Sequence, residues 1–182
     1  MIVEMSDGMD SNTTIIEKRI RFIRERIGYT QLEVAKALNI SRSLVNNWEL
    51  GYVNISLKQL IKLAYFYQIP IDYLLGIIDE VDSYSYHFIS DMNLINIGLK
   101  LKEIRKKANL TQEKFAQKID TKRSSISYYE IGKMMISTAD LKQICETFGV
   151  SADYIVGNID TNIKRVKKVK IKTKDIKEKL SI

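Results

Sequence analysis

This chain of 182 residues has one cysteine, Cys145, one histidine, His87, one proline, Pro70, and eight glycines. A single cysteine excludes an internal disulfide. With a single histidine beside it, no Cys/His zinc site can be built, and the expected setting is a reducing cytoplasm. So little proline and glycine argues for helices and against strands joined by tight turns. No apolar run approaches the ~18 residues that a membrane span needs. Residues 1–10 hold acids and lack a basic start with an apolar core, so no secretory signal is expected. Apolar and charged side chains are plentiful, at 45% and 28%, which marks a folded globular chain and not a disordered one.

The net charge of +7 is unevenly spread. Residues 163–182 carry nine Lys and Arg against two acids, so the rest of the chain is neutral overall. Within that neutral part, residues 17–76 and 99–157 are each +4, whereas 77–98 holds Asp79, Glu80, Asp82 and Asp91 and no base. Two basic blocks are thus separated by an acidic spacer and followed by a basic tail.

The two blocks are copies. A shift of 81 residues superposes Thr30-Gln31 on Thr111-Gln112, Arg42-Ser43 on Arg123-Ser124, Glu49-x-Gly51 on Glu130-x-Gly132, and Asp72-Tyr73-x-x-Gly76 on Asp153-Tyr154-x-x-Gly157. Over 20–76 the ungapped match has 15 identities in 57 positions. Two copies at this period are a tandem duplication of a small domain and not a solenoid. The expected organisation is an N-terminal segment 1–13, a first domain 14–76, a spacer 77–94, a second domain 95–157 and a tail 158–182.

Each copy reads as a string of short helices. Ile16, Ile20, Ile23 and Ile27 recur on one helical face, with Thr14-x-x-Glu17 as a capping box. Thr30 can cap a second helix with Leu32, Ala35 and Leu38 inward. Ser41 can cap a third, carrying Leu44, Val45 and Trp48 and ended by Gly51. Ser56 can cap a fourth with Leu57, Leu60, Ile61, Leu63 and Ala64, and Pro70 starts a fifth. Short helices joined by tight turns make a helix-turn-helix arrangement.

The pattern Thr30-Gln31-x-x-x-Ala35, Ser41-x-x-x-Val45-x-x-Trp48-Glu49-x-Gly51 and Asp72-Tyr73-Leu74-Leu75-Gly76, present twice, resembles the lambda-repressor-like domain of the XRE/Cro transcription regulators. The resemblance covers about two thirds of the chain. It implies an all-α fold of two tandem five-helix domains, sequence-specific binding of double-stranded DNA and, usually, repression. A recognition helix reads bases from its N-terminal turns: arginine suits guanine O6/N7 and asparagine suits adenine N6/N7. The outward positions of the third helix are Arg42, Ser43, Asn46 and Asn47, and those of the second copy are Arg123, Ser124 and Tyr128. By resemblance, Arg42, Ser43 and Asn47 and their second-copy equivalents fall on base-reading positions; the alternative is a solvated helix face. Tyr128 could stack on thymine methyls or pack on a neighbour.

Helix N-termini attract phosphates. The expected phosphate contacts are Thr30, Gln31, Ser41, Thr111, Gln112 and Lys122; for Thr30 and Thr111 the alternative is a cap alone. Lys122 stands where the first copy has the cap Ser41, and lysine cannot accept cap hydrogen bonds. Either Thr121 caps with a one-residue shift or the helix start frays. The resemblance also implies two structural ion pairs, Arg24 with Glu49 and Arg105 with Glu130. These are taken as partly exposed. It further makes Trp48 and Tyr129 core anchors.

The spacer region holds Tyr84, Tyr86, Phe88, Ile89, Met92, Leu94 and Ile95, too apolar for a free linker. Phe88, Met92, Ile95 and Leu99 fall at helical spacing. The spacer either packs between the domains or forms a homodimer interface. In the tail, Lys164, Arg165, Lys167, Lys168, Lys170, Lys172 and Lys174 alternate in part with apolar residues, which suits an extended arm on the DNA backbone or a solvated end.

No glycine-rich phosphate loop, nucleophile pair or metal cluster is present in the sequence, so no enzyme, cofactor or membrane partner is expected. The rival class is a protein-interaction module, an antitoxin or a regulatory protein's partner built on the same fold. Two unlike reading faces predict an operator with unlike halves.

Overall fold

A computed structural model describes residues 14–81 and 85–161. Among them are ten α-helices and no strand, five for each of two consecutive repeats. No helix among the described residues is long and apolar enough to cross a membrane. By contact the chain divides into two compact units, Met1–Asn54 and Ile55–Ile182.

The first unit holds α1 (Ile15–Ile27), α2 (Gln31–Leu38) and α3 (Arg42–Glu49). Helix α1 buries Ile20 and Ile23, together with Glu17, Arg19 and Arg24 on the same side. The Thr14 hydroxyl donates to the Glu17 carboxylate instead of accepting a backbone N–H, so this end is not a complete capping box. Helix α2 has the full box: Glu33 N donates to Thr30 Oγ1 at 3.2 Å, and Thr30 N donates to Glu33 Oε2 at 2.7 Å. The buried residues of α2 are Val34, Ala35 and Leu38. Leu32, expected inward, is 49% exposed, because the inward stripe begins at Val34 and passes on the opposite side of the helix. The turn into α3 runs through Asn39 in the left-handed region (φ 54°). Asparagine tolerates that conformation better than most residues. Ser41 Oγ then accepts from Leu44 N at 3.2 Å, starting α3 at Arg42.

The second unit holds α4 (Leu57–Tyr67), α5 (Ile71–Leu74), α6 (Leu94–Lys107), α7 (Gln112–Lys118), α8 (Arg123–Glu130), α9 (Thr138–Phe148) and α10 (Ala152–Val156). The expected stripe of α4 is buried throughout: Leu57, Leu60, Ile61, Leu63 and Ala64. Around α6–α10 the core contains Leu101, Phe115, Ile126, Tyr129, Ile144 and Ile155, with the Phe115 and Phe148 rings stacked at 4.6 Å. Cys145 is part of this core, and burial pushes its thiol well above the ordinary range. Helix α6 crosses α8 in backbone contact at Gly98. A Cβ there would lie 2.7 Å from the Glu130 carbonyl oxygen and closer still to that of Tyr129, so only glycine fits.

The spacer differs from the helix expected through Phe88 and Met92. Residues 85–93 are irregular, and α6 begins only at Leu94, where Asn93 Oδ1 accepts from Asn96 N at 3.1 Å. The cause is pairing with the chain after α10. His87 N donates to the Asn158 carbonyl at 2.8 Å and Ile89 N to Asn158 Oδ1 at 3.0 Å. Alternate amides committed to one partner cannot also make i to i−4 helical bonds.

Candidate nucleic-acid interface

The third helix of each repeat, α3 or α8, is held by the same three side chains. In the first repeat Arg24 Nε and Nη2 donate to the two oxygens of Glu49 at 2.5 and 2.8 Å, and Nη1 donates to the Tyr29 carbonyl at 3.0 Å. Gln31 Nε2 adds a donor to Glu49 Oε2 at 3.0 Å. In the second repeat Arg105 grips Glu130 at 2.5 and 2.9 Å and the Leu110 carbonyl at 2.8 Å, and Gln112 Nε2 donates to Glu130 Oε2 at 2.9 Å. The planar fork of arginine matches a carboxylate bidentately, so this contact fixes the angle of the helix as well as its distance.

These pairs are more buried than the sequence suggested: the Glu49 and Glu130 side chains are 2% and 3% exposed. Burial pushes the Glu130 carboxyl up, but the hydrogen bonds from Arg105 and Gln112 outweigh it, and its pKa ends below the ordinary carboxylate value. The Glu130 bond also raises that of Arg105.

The glutamines therefore have an internal partner that sequence reasoning missed. Gln31 and Gln112, expected on phosphates, spend their amide nitrogens on the buried glutamates, and Gln31 also donates to Asn46 Oδ1 at 3.2 Å. Thr30 and Thr111 act as caps, Thr111 Oγ1 accepting from Lys114 N at 3.2 Å. Both threonines are exposed, and the glutamines are half-buried.

On α3, Arg42 and Ser43 are exposed at the first turn and Asn46 and Asn47 half-buried one turn on, while Val45 and Trp48 face the core. On α8, Arg123, Ser124 and Tyr128 are exposed, and Ile126 and Tyr129 are buried. The register is unshifted. Lys122 occupies the N-cap position with no side-chain hydrogen bond, so α8 starts where its copy does without the cap Ser41 supplies. The Lys133 ammonium sits 4.9 Å from the Tyr128 ring centroid, a cation–π contact absent from the sequence reading. Tyr129 anchors the core with its hydroxyl donating to Asp140 Oδ2 at 2.7 Å. Burial and that carboxylate push its pKa up to about 12. Lys164, Arg165, Lys167, Lys168, Lys170, Lys172 and Lys174 of the tail lie outside the described residues.

Each repeat thus presents a polar N-terminal turn of one short helix, braced from behind by an arginine–glutamate–glutamine cluster. The helix-turn-helix family profile matches at residues 20–74 and again at 101–155. The chain belongs to the helix-turn-helix family, of the XRE type. It is similar to the HTH-type transcriptional regulator ImmR of Bacillus subtilis (strain 168), 41% identical over 59 residues, 32% of this chain and 46% of that protein. It is also similar to the antitoxin PezA of Streptococcus pneumoniae serotype 4, 43% identical over 61 residues, 34% of this chain and 39% of that protein. The control protein C.MunI of Mycoplasma sp is 37% identical over 67 residues, 36% of this chain and 90% of that protein. The chain spans less than half the length of the first two relatives. No solved structure matches.

Proposed function

We propose that this chain is a sequence-specific, double-stranded-DNA-binding transcription regulator of the cytoplasm, a repressor, reading an operator with two non-identical recognition helices, α3 and α8. Repeats 14–76 and 95–157 are its reading domains, and the basic residues of 158–182 add phosphate contacts. One observation carries this: in both repeats a buried ion pair orients the recognition helix while arginine and serine stay exposed at its first turn. Arg42, Ser43, Asn46 and Asn47 read one half-site, and Arg123, Ser124 and Tyr128 read the other. Thr30, Ser41, Thr111 and Lys122 lie toward phosphates, and Gln31 and Gln112 serve mainly as braces. Regulators and a control protein among the relatives support the same reading.

The test is selection of bound duplexes from a random-sequence pool, followed by footprinting on DNA flanking the gene. Recovery of an enriched motif with two unlike halves is expected. Equal retention of all sequences at every salt concentration would remove the proposal.

A second reading, binding to a regulatory protein as an antitoxin does, has its own support. It rests on the likeness to PezA and on Ile95, Leu99 and Ile131, which are exposed in the second repeat. The spacer's hydrogen bonds to Asn158 favour packing within the chain over a homodimer through 77–94.

A further inference from the structure

The fifth helices of the two repeats are short, and each leaves the N–H groups of its first turn to be satisfied from outside. Helix α5 has Pro70 at its N-cap, which offers no side-chain oxygen. Its first two amides find their acceptor 82 and 81 residues away. Ile71 N donates to Asp153 Oδ1 at 3.0 Å and Asp72 N to Asp153 Oδ2 at 2.9 Å. The exchange is returned: Ala152 N, the counterpart of Ile71 N, donates to Asp72 Oδ1 at 2.7 Å, and the Ser151 hydroxyl donates to Asp72 Oδ2. Asp72 and Asp153 occupy equivalent positions in the two copies and are both fully buried. Asn158 Nδ2 also donates to Asp153 Oδ1, at 2.7 Å. A further tie runs from the Thr138 hydroxyl at the start of α9 to the Ile55 carbonyl at the entry to α4, at 3.1 Å.

A contact in which residue i of one copy meets j of the other, and j meets i, is the signature of a two-fold, self-complementary interface. Such interfaces ordinarily join two chains. Here both halves belong to one chain. We infer that α5 and α10 form a dimer-type interface closed inside a single chain, so that the fifth-helix surfaces are occupied and the protein works as a monomer with two reading heads. Each buried carboxylate sits at the positive end of the opposite helix, where its charge is favoured and its oxygens are bonded. Exchange between two chains would satisfy the same bonds, with Asp72 of one facing Asp153 of the other. It would give an obligate pair of chains.

Two measurements on the full chain separate these outcomes, both without DNA. Sedimentation equilibrium over a wide concentration range should return 21.1 kDa throughout. A species of twice that mass, persisting on dilution, would overturn the inference. Amide hydrogen exchange should show Ile71, Asp72 and Ala152 slowed about 10³-fold or more relative to an unstructured peptide, although first-turn amides of a helix normally exchange freely. Free exchange at Ile71 and Asp72 would equally overturn it. In Asp153→Ala, protection at Ile71 and Asp72 should be lost while that of the α1–α3 amides remains; if the variant does not fold, the native exchange pattern still decides. A monomer with protected amides that binds no duplex would remove the proposed function and leave this interface standing.

Discussion

The third helices of the two repeats, α3 and α8, share a frame and differ in what they present. Behind each, an arginine, a glutamate and a glutamine make the same contacts at nearly the same distances. In front, α3 shows Arg42, Ser43, Asn46 and Asn47, with the Asn46 amide held by Gln31. Helix α8 keeps Arg123 and Ser124 but has Ser127 and Tyr128 one turn on, the ring covered by Lys133. The crossing of the first and third helices has diverged too. Gly98 lets α6 touch the backbone of α8, whereas its counterpart in α1 is the buried Glu17. After duplication, the residues that set the helix angle were kept and the outward residues one turn on were changed. Such a pattern supports the proposal that the two heads read different sequences on one kind of scaffold.

The strongest way to break the shared frame is to remove the glutamate. Glu49→Ala or Glu130→Ala takes the bidentate carboxylate from a largely buried arginine and should cost about 3–5 kcal/mol, read as a shift of the urea midpoint. A midpoint unchanged in both variants would mean that the frame contributes nothing. Glu130 adds a pH test. Its pKa is depressed in the folded chain, so its contribution is full above the ordinary carboxylate value of about 4.3 and is lost as pH falls through the lower folded value. Glu130→Gln should therefore flatten the fall of stability as the pH drops below the ordinary carboxylate range.

Next in size is the helix crossing. Gly98→Ala sets a methyl against two backbone carbonyls that cannot swing away, and about 3 kcal/mol of destabilisation is expected. Glu17→Ala at the matching position meets no such wall and should cost less. Equal costs would mean that the two crossings are alike after all. Arg42→Ala and Arg123→Ala should each cost ~1–3 kcal/mol in affinity for the selected duplex and relax a different base position. Uniform weakening on all sequences would make both arginines phosphate contacts. The smallest effect is at the uncapped start of α8: Lys122→Ser should stabilise by about 1 kcal/mol, and Ser41→Ala should lose a similar amount.

Much of this was legible in the sequence, because caps, turns and apolar stripes are local signals. Ser41, Ser56 and Thr30 announced their helices, and the offset of 81 residues doubled every observation. The outward positions of the third helices emerged from the same register. What escaped was non-local or rotational. Leu32 lies outside because a short helix offers too few apolar positions to fix its rotation. Gln31 and Gln112 were expected on phosphates, and nothing along the chain reveals the buried carboxylate to which each also donates. The helical spacing of Phe88 and Met92 was overridden by Asn158, some seventy residues on. The repeated Asp72 and Asp153 were read as part of the family's pattern, since a single copy cannot disclose that each serves the other.

The exchanged aspartates also bear on how the chain is made. Asp153 leaves the ribosome 81 residues after Asp72. At about 5–20 residues per second that interval is on the order of 4–16 s. During it the first-turn amides of α5 have only water for a partner, and the first repeat cannot reach its finished form. Synthesis and completion of the fold are thereby separated in time: the N-terminal copy waits for the C-terminal one. A ribosome stalled between the two aspartates should hold an α5 that exchanges its amides freely, and release of the full chain should close it.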